Sequence, residues 1–330
     1  MSTTPSGLPS AALIEHDVPG RHRSSAPRAT RGRRLRRSFL ACLAAGAAAV
    51  SAVTVTTTAD ARTPMYFGSV GGGYSQAVSA SGENLANHAY STFTSKPPVA
   101  RMITVHAGGA SWRQVAAAKS GSALYADIVR WAKEIKSRGG RVMVAYNHEP
   151  EAAAGGQHGT PADFIAAWRR VHTIFDQQGA NNVEWTLQMT AYAFRVKSGD
   201  ARSISRWYPG DAWVDNIGAD AYNWIACGAT GNGTYNSMKT LGDPVLAFAR
   251  AHGKKASFPE FASHANAQRP QWLADAHDYF VANEDIISAA FYFNRPPTIA
   301  SNADCKWGLT SSTEYAGLRA MAQDGAHFRV

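Results

Sequence analysis

The chain has 330 residues, of which 45% are hydrophobic, 10% aromatic and 17% charged, and its formal net charge is +9. This composition excludes a wholly disordered chain and a coiled coil. Eight arginines lie within residues 1–61, and the basic residues elsewhere are dispersed, so the charge does not indicate nucleic-acid binding.

Residues 1–61 have the pattern of an export signal rather than of a folded domain. A basic cluster at 31–37 precedes an apolar stretch at 39–55, and Ala59-Asp60-Ala61 offers a small-x-small cleavage site. Residues 36–40 also resemble a twin-arginine signal, which implies export of the folded protein. We therefore expect a secreted protein that begins near Arg62, with an uncleaved N-terminal anchor as the alternative.

The remaining residues, 62–330, alternate between strand-like apolar runs and helix-like amphipathic segments. The predicted strands are residues 65–70, 88–93, 101–106, 142–146, 183–189, 214–220, 256–261 and 288–294. The predicted helices lie near residues 124–135, 161–175, 237–252 and 271–283. Gly71-Gly72-Gly73 lacks the spacing of a nucleotide-binding fingerprint and is interpreted as a loop. Eight βα units predict an α/β fold, a single-domain (β/α)₈ TIM barrel that occupies residues 62–330.

Polar side chains cluster where the predicted strands end, which is where a (β/α)₈ barrel carries its chemistry. These residues are His106, Asn147, His148, Glu149, Gln188, Asp220, Tyr222, Trp224, Glu260 and Asn294. Glu149 and Glu260 both follow apolar strands, and two carboxyl groups at one barrel mouth are typical of glycosidic-bond cleavage. Taken alone, the two could equally be surface-facing or salt-bridged glutamates.

Three stretches carry a resemblance to a known family: VMVAYNHEPE at 142–151, YPGDAWVDNIGADAYNW at 208–224 and SFPEF at 257–261. The chain resembles glycoside hydrolase family 26, in the clan of (β/α)₈ retaining glycosidases. The resemblance implies a secreted, β-mannanase-like hydrolase that cleaves a β-linked polysaccharide with retention. β-Mannan is favoured, while β-1,3-xylan and mixed-linkage β-glucan remain alternatives because Ala145 stands where family mannanases carry an arginine.

The resemblance also implies roles for individual residues. Glu149 matches the general acid/base and Glu260 the nucleophile, with His148 lining the site beside the acid. Asp220 and Tyr222 match the family's D-x-Y motif, in which the tyrosine hydroxyl is expected to bond the nucleophile.

Five residues near the predicted strand ends complete the candidate site. His106 and the two tryptophans Trp224 and Trp307 are candidate substrate contacts, and core packing is the alternative for the tryptophans. Cys227 and Cys305 follow the sixth and eighth strands, so we expect a disulfide at the rim, with two buried free thiols as the alternative.

No histidine spacing indicates a metal site, and no cofactor motif occurs. The expected partner is therefore a polysaccharide or oligosaccharide, with no nucleic acid, no membrane after cleavage, and a monomeric protein. The alternative from another class is a non-catalytic barrel that binds a cell-surface or plant polysaccharide.

Overall fold

The computed structural model describes residues 63–152, 158–228, 231–296 and 302–330. The predicted export signal and its cleavage site lie outside these residues. No helix within them is long and apolar enough to cross a membrane.

A closed parallel β-barrel forms the centre of the fold. Each strand from β2 to β7 pairs with the strand that follows it in sequence, and β1 pairs with both β8 and β2 to close the ring. Its strands are β1 (Met65–Val70), β2 (Ala86–Thr92), β3 (Met102–His106), β4 (Val142–Tyr146), β5 (Val183–Thr190), β6 (Asn216–Asn223), β7 (Lys255–Ser263) and β8 (Ile287–Tyr292). All eight predicted strands are confirmed, and with them the (β/α)₈ barrel. A short strand, β9 (Phe328–Arg329), pairs with the start of β1 and was not predicted.

Helices occupy the connections between the strands. They are α1 (Tyr74–Ser81), α2 (Trp112–Ala116), α3 (Ala123–Ser137), α4 (Pro161–Gln177), α5 (Ile204–Trp207), α6 (Met238–Ala251), α7 (Arg269–Ala282) and α8 (Ser312–Gln323). Helix α4 begins where the sequence predicted. Thr160 and Asp163 form a reciprocal capping box, and Pro161 occupies the first turn. The buried faces of these helices pack around the barrel in one apolar core.

The glycine run Gly71–Gly73 is not a loop as predicted, because it forms a turn of 3₁₀ helix that leads directly into α1. A side chain at Gly73 would meet the backbone of Asn294 at 1.6 Å, so the close approach of β1 and β8 at this rim requires glycine there. The glycines therefore serve packing, not nucleotide binding.

Two strands extend further than predicted, and the difference affects the site. Pairing between β6 and β7 continues from Asp220 opposite Glu260 to Asn223 opposite Ser263. Tyr222 thus lies within β6 rather than after it, and Glu260 lies within β7, inside the predicted bounds 256–261. The prediction ended β6 at Asp220, whereas backbone pairing continues because polar residues at a barrel rim can face the cleft.

Candidate active site

A strained turn positions Glu149 at the end of β4. Asn147 and Glu149 both have left-handed backbone conformations, with φ of 54° and 44°. Such residues cost roughly 1–3 kcal/mol each and persist only where the surroundings enforce them. Here the amide of Asn147 donates to the carbonyl of Val105, and that of Glu149 to the carbonyl of Gln188, both at 2.8 Å. The neighbouring strands β3 and β5 therefore hold the turn.

Glu260 on β7 is buried, with 7% of its surface exposed, and each carboxylate oxygen accepts a hydrogen bond from a tyrosine. Tyr90 on β2 donates to Oε1, and Tyr222 on β6 donates to Oε2. Burial raises the pKa of Glu260 to about 8, while the positive charge of Arg295 acts in the opposite direction. The two phenolic donors also favour the ionised carboxylate.

Glu149 lies against a second carboxyl group. Burial raises the pKa of Glu149 to about 7, while the hydrogen-bonding contact with the Asp220 carboxyl acts in the opposite direction. Burial, followed by the charge of Glu149, raises the pKa of Asp220 well above its usual range. Because the groups titrate together, the pair retains a proton near neutral pH.

A chain of buried hydrogen bonds in the barrel interior holds the Asp220 side chain in place. The Gln188 amide donates to both Asp220 oxygens at 3.0 Å, and its carbonyl accepts from Thr104 at 2.6 Å. The Thr104 hydroxyl also contacts His88 at 2.9 Å, and the other ring nitrogen of His88 contacts the carbonyl of Pro259, next to Glu260. The surroundings of the two glutamates are thereby connected through the barrel interior.

A third acid, Glu151, lies completely buried just beyond Glu149. Its Oε1 accepts from the backbone amide and the hydroxyl of Thr190, at 2.6 and 2.7 Å. Burial, with a smaller contribution from the charge of Glu149, raises the pKa of Glu151 to about 8. Glu151 therefore attaches the Glu149 turn to β5, and burial disfavours its charged form.

Two adjoining cavities form a cleft over these groups. One of about 380 Å³ is lined by Tyr90, His148, Glu149, Tyr222, Trp224, Glu260, Phe293, Arg295, Asn302 and Trp307. The other, of about 570 Å³, shares Glu149, Tyr222, Trp224 and Asn302 with the first, and it also reaches Asp220. Since Glu260 lines only the first cavity while Glu149 lines both, Glu149 lies where the two meet.

Aromatic side chains form one wall of the first cavity. The rings of Trp224 and Trp307 lie 5.0 Å apart at right angles, and Tyr222 contacts both. Trp307 is only 2% exposed, so it mainly supports Trp224, which presents more of its surface to the cleft. Nearby, Cys227 and Cys305 form the predicted disulfide, with Cα atoms 5.1 Å apart. The disulfide joins the loop that follows Trp224 to the loop that precedes Trp307.

The two histidines differ in their relation to the cleft. His148 lines it, and burial, aided by the charge of His106, lowers the pKa of His148 to about 4, so the ring is neutral at pH 7. His106 lies at the end of β3 behind His148 and lines neither of the two cavities. In the part of the chain that the structure describes, no three metal-ligating side chains converge.

Apart from His106, the predicted catalytic and substrate-binding residues lie along this cleft, but several of its groups were missed. Tyr90 belongs to β2, the strand with the weakest sequence signal, and Arg295 follows β8 in a segment without periodicity. The tyrosine in a strand with polar alternation was the one available signal for Tyr90. Arg295 had none.

A (β/α)₈ barrel with carboxyl groups and aromatic rings in a cleft at the strand ends defines a class, the barrel glycosidases. A family model described as glycosyl hydrolase family 26 matches residues 112–302. The chain belongs to glycosyl hydrolase family 26.

Three relatives share little sequence identity with this chain. Endoglucanase H of Acetivibrio thermocellus is 27% identical over 195 residues, which cover 57% of this chain and 20% of that protein. The chain thus matches about a fifth of the length of that relative. A family-26 β-mannanase from Bacteroides ovatus superposes with a TM-score of 0.51 at 12% identity, covering 81% of this chain and 90% of that one. A family-26 domain from Prevotella bryantii gives 0.51 at 13% identity, covering 80% and 90%. At these identities the two structures show the fold alone.

Proposed function

We propose that the protein is a retaining glycoside hydrolase that cleaves a β-linked polysaccharide, with Glu260 as nucleophile and Glu149 as general acid/base. The observation that carries the proposal is the contrast in hydrogen bonding within one cleft. Glu260 receives two phenolic donors, which suit a carboxylate, whereas Glu149 shares a proton with Asp220, which suits an acid.

In the first step, Glu260 attacks the anomeric carbon while Glu149 protonates the departing glycosidic oxygen. The carbon–oxygen bond to the leaving sugar breaks, and an ester forms between the sugar and Glu260. Tyr222 and Tyr90 orient the Glu260 oxygens. The negative charge of Glu260 falls as the ester forms, so the hydrogen bonds that it accepts from the two phenols weaken. The phenols therefore stabilise the ground state and the transition state to different extents.

In the second step, Glu149 is ionised and removes a proton from an incoming water. The water oxygen attacks the anomeric carbon, the ester bond breaks, and Glu260 leaves as a carboxylate. Both Asp220 oxygens accept from the Gln188 amide nitrogen, which keeps Asp220 oriented while the proton moves on and off Glu149. The geometry required for retention is a separation of about 5–5.5 Å between the two carboxyl groups.

Among substrates, β-mannan is favoured because of the family resemblance and because similar folds include family-26 β-mannanases. Mixed-linkage β-glucan and β-1,3-xylan are the alternatives. Ala145 is a buried strand residue here and cannot make the cleft contact of the arginine expected at its position. The relative named as an endoglucanase supports keeping glucans in the panel.

We further propose secretion, with residues 1–61 as a cleaved export signal and a monomeric mature enzyme. The rim disulfide supports an oxidising compartment, since structural disulfides persist mainly outside the cytosol. Terminal sequencing of secreted protein tests the cleavage site. A terminus before residue 31 would contradict it.

A reducing-sugar assay on mannan, β-1,3-xylan, mixed-linkage glucan and cellulose tests the activity, with NMR of the first-formed anomer to establish retention. Release of the β-anomer from at least one polymer is the expected result. Binding without turnover of any polymer would instead favour a non-catalytic carbohydrate-binding barrel.

A further inference from the structure

The second cavity contains a cationic group that the proposed chemistry does not use. Tyr192, Arg195 and Arg202, which follow β5, line this cavity, and we call these three residues the arginine arm. The arm shares a cavity with Glu149 but not with Glu260.

The two guanidinium groups have unused hydrogen-bonding capacity. The guanidinium carbon of Arg202 lies 3.9 Å from the centre of the Tyr192 ring, an arrangement that orients the group by cation–π attraction. Its nearest carboxylate is Asp200, at 3.9 Å from Nε. Among the described residues, none accepts a side-chain hydrogen bond from Arg195 or Arg202, and Arg195 has no carboxylate within ion-pair distance.

The acids around the arm do not neutralise it. Asp200 accepts from the Tyr192 hydroxyl at 3.4 Å and from the Arg202 backbone amide at 2.8 Å, so its lone pairs are partly used. Among the described residues, Asp200 is paired with Arg202, and Arg195 has no such carboxylate. On the inner side, Glu149 and Asp220 share a proton, which reduces their negative charge near neutral pH.

Another arginine that is stacked on a tyrosine differs from the arginines of the arm in its hydrogen bonding. The guanidinium of Arg101 lies 4.1 Å from the centre of the Tyr66 ring near the opposite end of the barrel. One of its nitrogens donates to the carbonyl of Arg141 at 2.5 Å, so this arginine ties together parts of the fold. The guanidiniums of the arm make no such bond to a described residue, and they face the cleft.

The position of the arm identifies which part of a substrate it would meet. In the proposed reaction the nucleophile touches the anomeric carbon and the acid touches the glycosidic oxygen. A cavity that contains Glu149 but not Glu260 therefore receives sugars on the leaving-group side. This step rests on the proposed function.

We propose that the arginine arm binds the carboxylate of a uronic acid in the leaving-group part of the glycan. A planar guanidinium pairs with a carboxylate through two parallel hydrogen bonds, while the Tyr192 ring holds Arg202 in place. A neutral sugar offers no charge to these groups. The β-linked glycan would then carry a uronic acid among the units on the leaving-group side, next to the neutral units that the family resemblance favours.

The test compares acidic and neutral tetrasaccharides of the same linkage. Calorimetry with the full chain carrying Glu260→Gln measures binding without turnover. The probes are β-1,4-linked tetramers of mannuronate and mannose, and of glucuronate and glucose. We expect at least one uronate tetramer to bind about tenfold more tightly than its neutral partner at low salt. Added sodium chloride should reduce this difference.

Three further variants identify the residues. Arg195→Gln and Arg202→Gln, each added to the inactive chain, should remove most of the preference while leaving the affinity for the neutral tetramer unchanged. Arg206→Gln removes an exposed arginine from the nearby helix α5, which lines neither cavity, and should retain the preference. Equal affinity for both members of each pair, no binding of either uronate tetramer, or a preference that survives both substitutions in the arm would overturn the inference.

Wild-type turnover separates this inference from the function on which it rests. Hydrolysis of neutral glycans with no uronate preference would contradict the arginine arm and leave the proposed hydrolase intact. A uronate preference in binding, with no hydrolysis of any glycan, would contradict the catalytic proposal while supporting the arm.

Discussion

Glu149 and Glu260 are the same residue type at the same rim, and burial raises the pKa of both. Their partners differ. Glu260 accepts from two tyrosines and lies near Arg295, all of which favour its charged form. Glu149 contacts Asp220, so that ionising both carboxyls would place two negative charges side by side.

The comparison shows how one side-chain chemistry can serve two roles. Donors stabilise a carboxylate, whereas two carboxyl groups in contact retain a proton between them, so in the proposed mechanism the partners rather than the residue type distinguish nucleophile from acid. The backbone conformations of the two glutamates also differ. Glu260 lies in a regular strand, whereas Glu149 lies in a left-handed turn that brings it against Asp220.

The largest effect is expected from Glu260→Ala. Without a carboxylate no covalent intermediate forms, so turnover of every glycan and aryl glycoside should fall on the order of 10⁴-fold or more. Initial-rate measurements on an activated aryl glycoside check this. Aryl glycoside hydrolysis with retention by the variant would show that Glu260 is not the nucleophile.

Glu149→Ala should have the next largest effect, and it should depend on the leaving group. Loss of acid catalysis should slow polysaccharide cleavage by about 10²–10⁴-fold. An aryl glycoside with an acidic phenol needs no protonation, so its first step should survive. Added azide should then release a glycosyl azide of retained configuration, which NMR detects. Failure of azide to accelerate turnover would contradict the role of Glu149.

A smaller effect is expected when a donor to Glu260 is removed. Tyr222→Phe or Tyr90→Phe makes the ionised form of Glu260 less favourable, so its pKa should rise. The acid limb of the kcat/KM profile should then move to higher pH by about one unit, the equivalent of about 1.4 kcal/mol. Tyr125→Phe, on the outer helix α3, is the matched control and should leave the profile unchanged. An unshifted limb in both cleft variants would show that the phenols do not control the ionisation of Glu260.

The smallest effect on turnover is expected from the double variant that combines Cys227→Ser and Cys305→Ser and so lacks the disulfide. A disulfide that links residues 78 apart stabilises by up to about 4 kcal/mol in the chain-entropy model, so the melting temperature should fall clearly. KM should rise a few-fold because the loops carry Trp224 and Trp307, while kcat stays close to that of the wild type. Calorimetry and steady-state kinetics provide both values. Wild type with a reductant is the control, and an unchanged melting temperature would contradict a structural role.

Local patterns were sufficient for most of the fold. Apolar runs identified eight strands, and the Thr160-Pro161 signal identified the start of α4, because hydrophobic periodicity and capping depend on neighbours in sequence. The same patterns failed for strand ends at the rim, since β6 and β7 continue through residues that face the cleft. Helix α1 was missed because its glycine-rich entry and small residues give little periodic signal.

The sequence by itself singled out Glu149, Glu260 and the cysteine pair as candidates, because a carboxyl group after an apolar run and two cysteines that follow an export-like segment are local signals. Only the tertiary structure revealed that Tyr90 reaches Glu260 across 170 residues of sequence, and that Asp220 contacts Glu149. Barrel closure places the ends of distant strands around one cleft, and proximity there depends on strand order and register. Protonation states follow from that proximity, since they depend on which donors, charges and buried surfaces surround each carboxyl group.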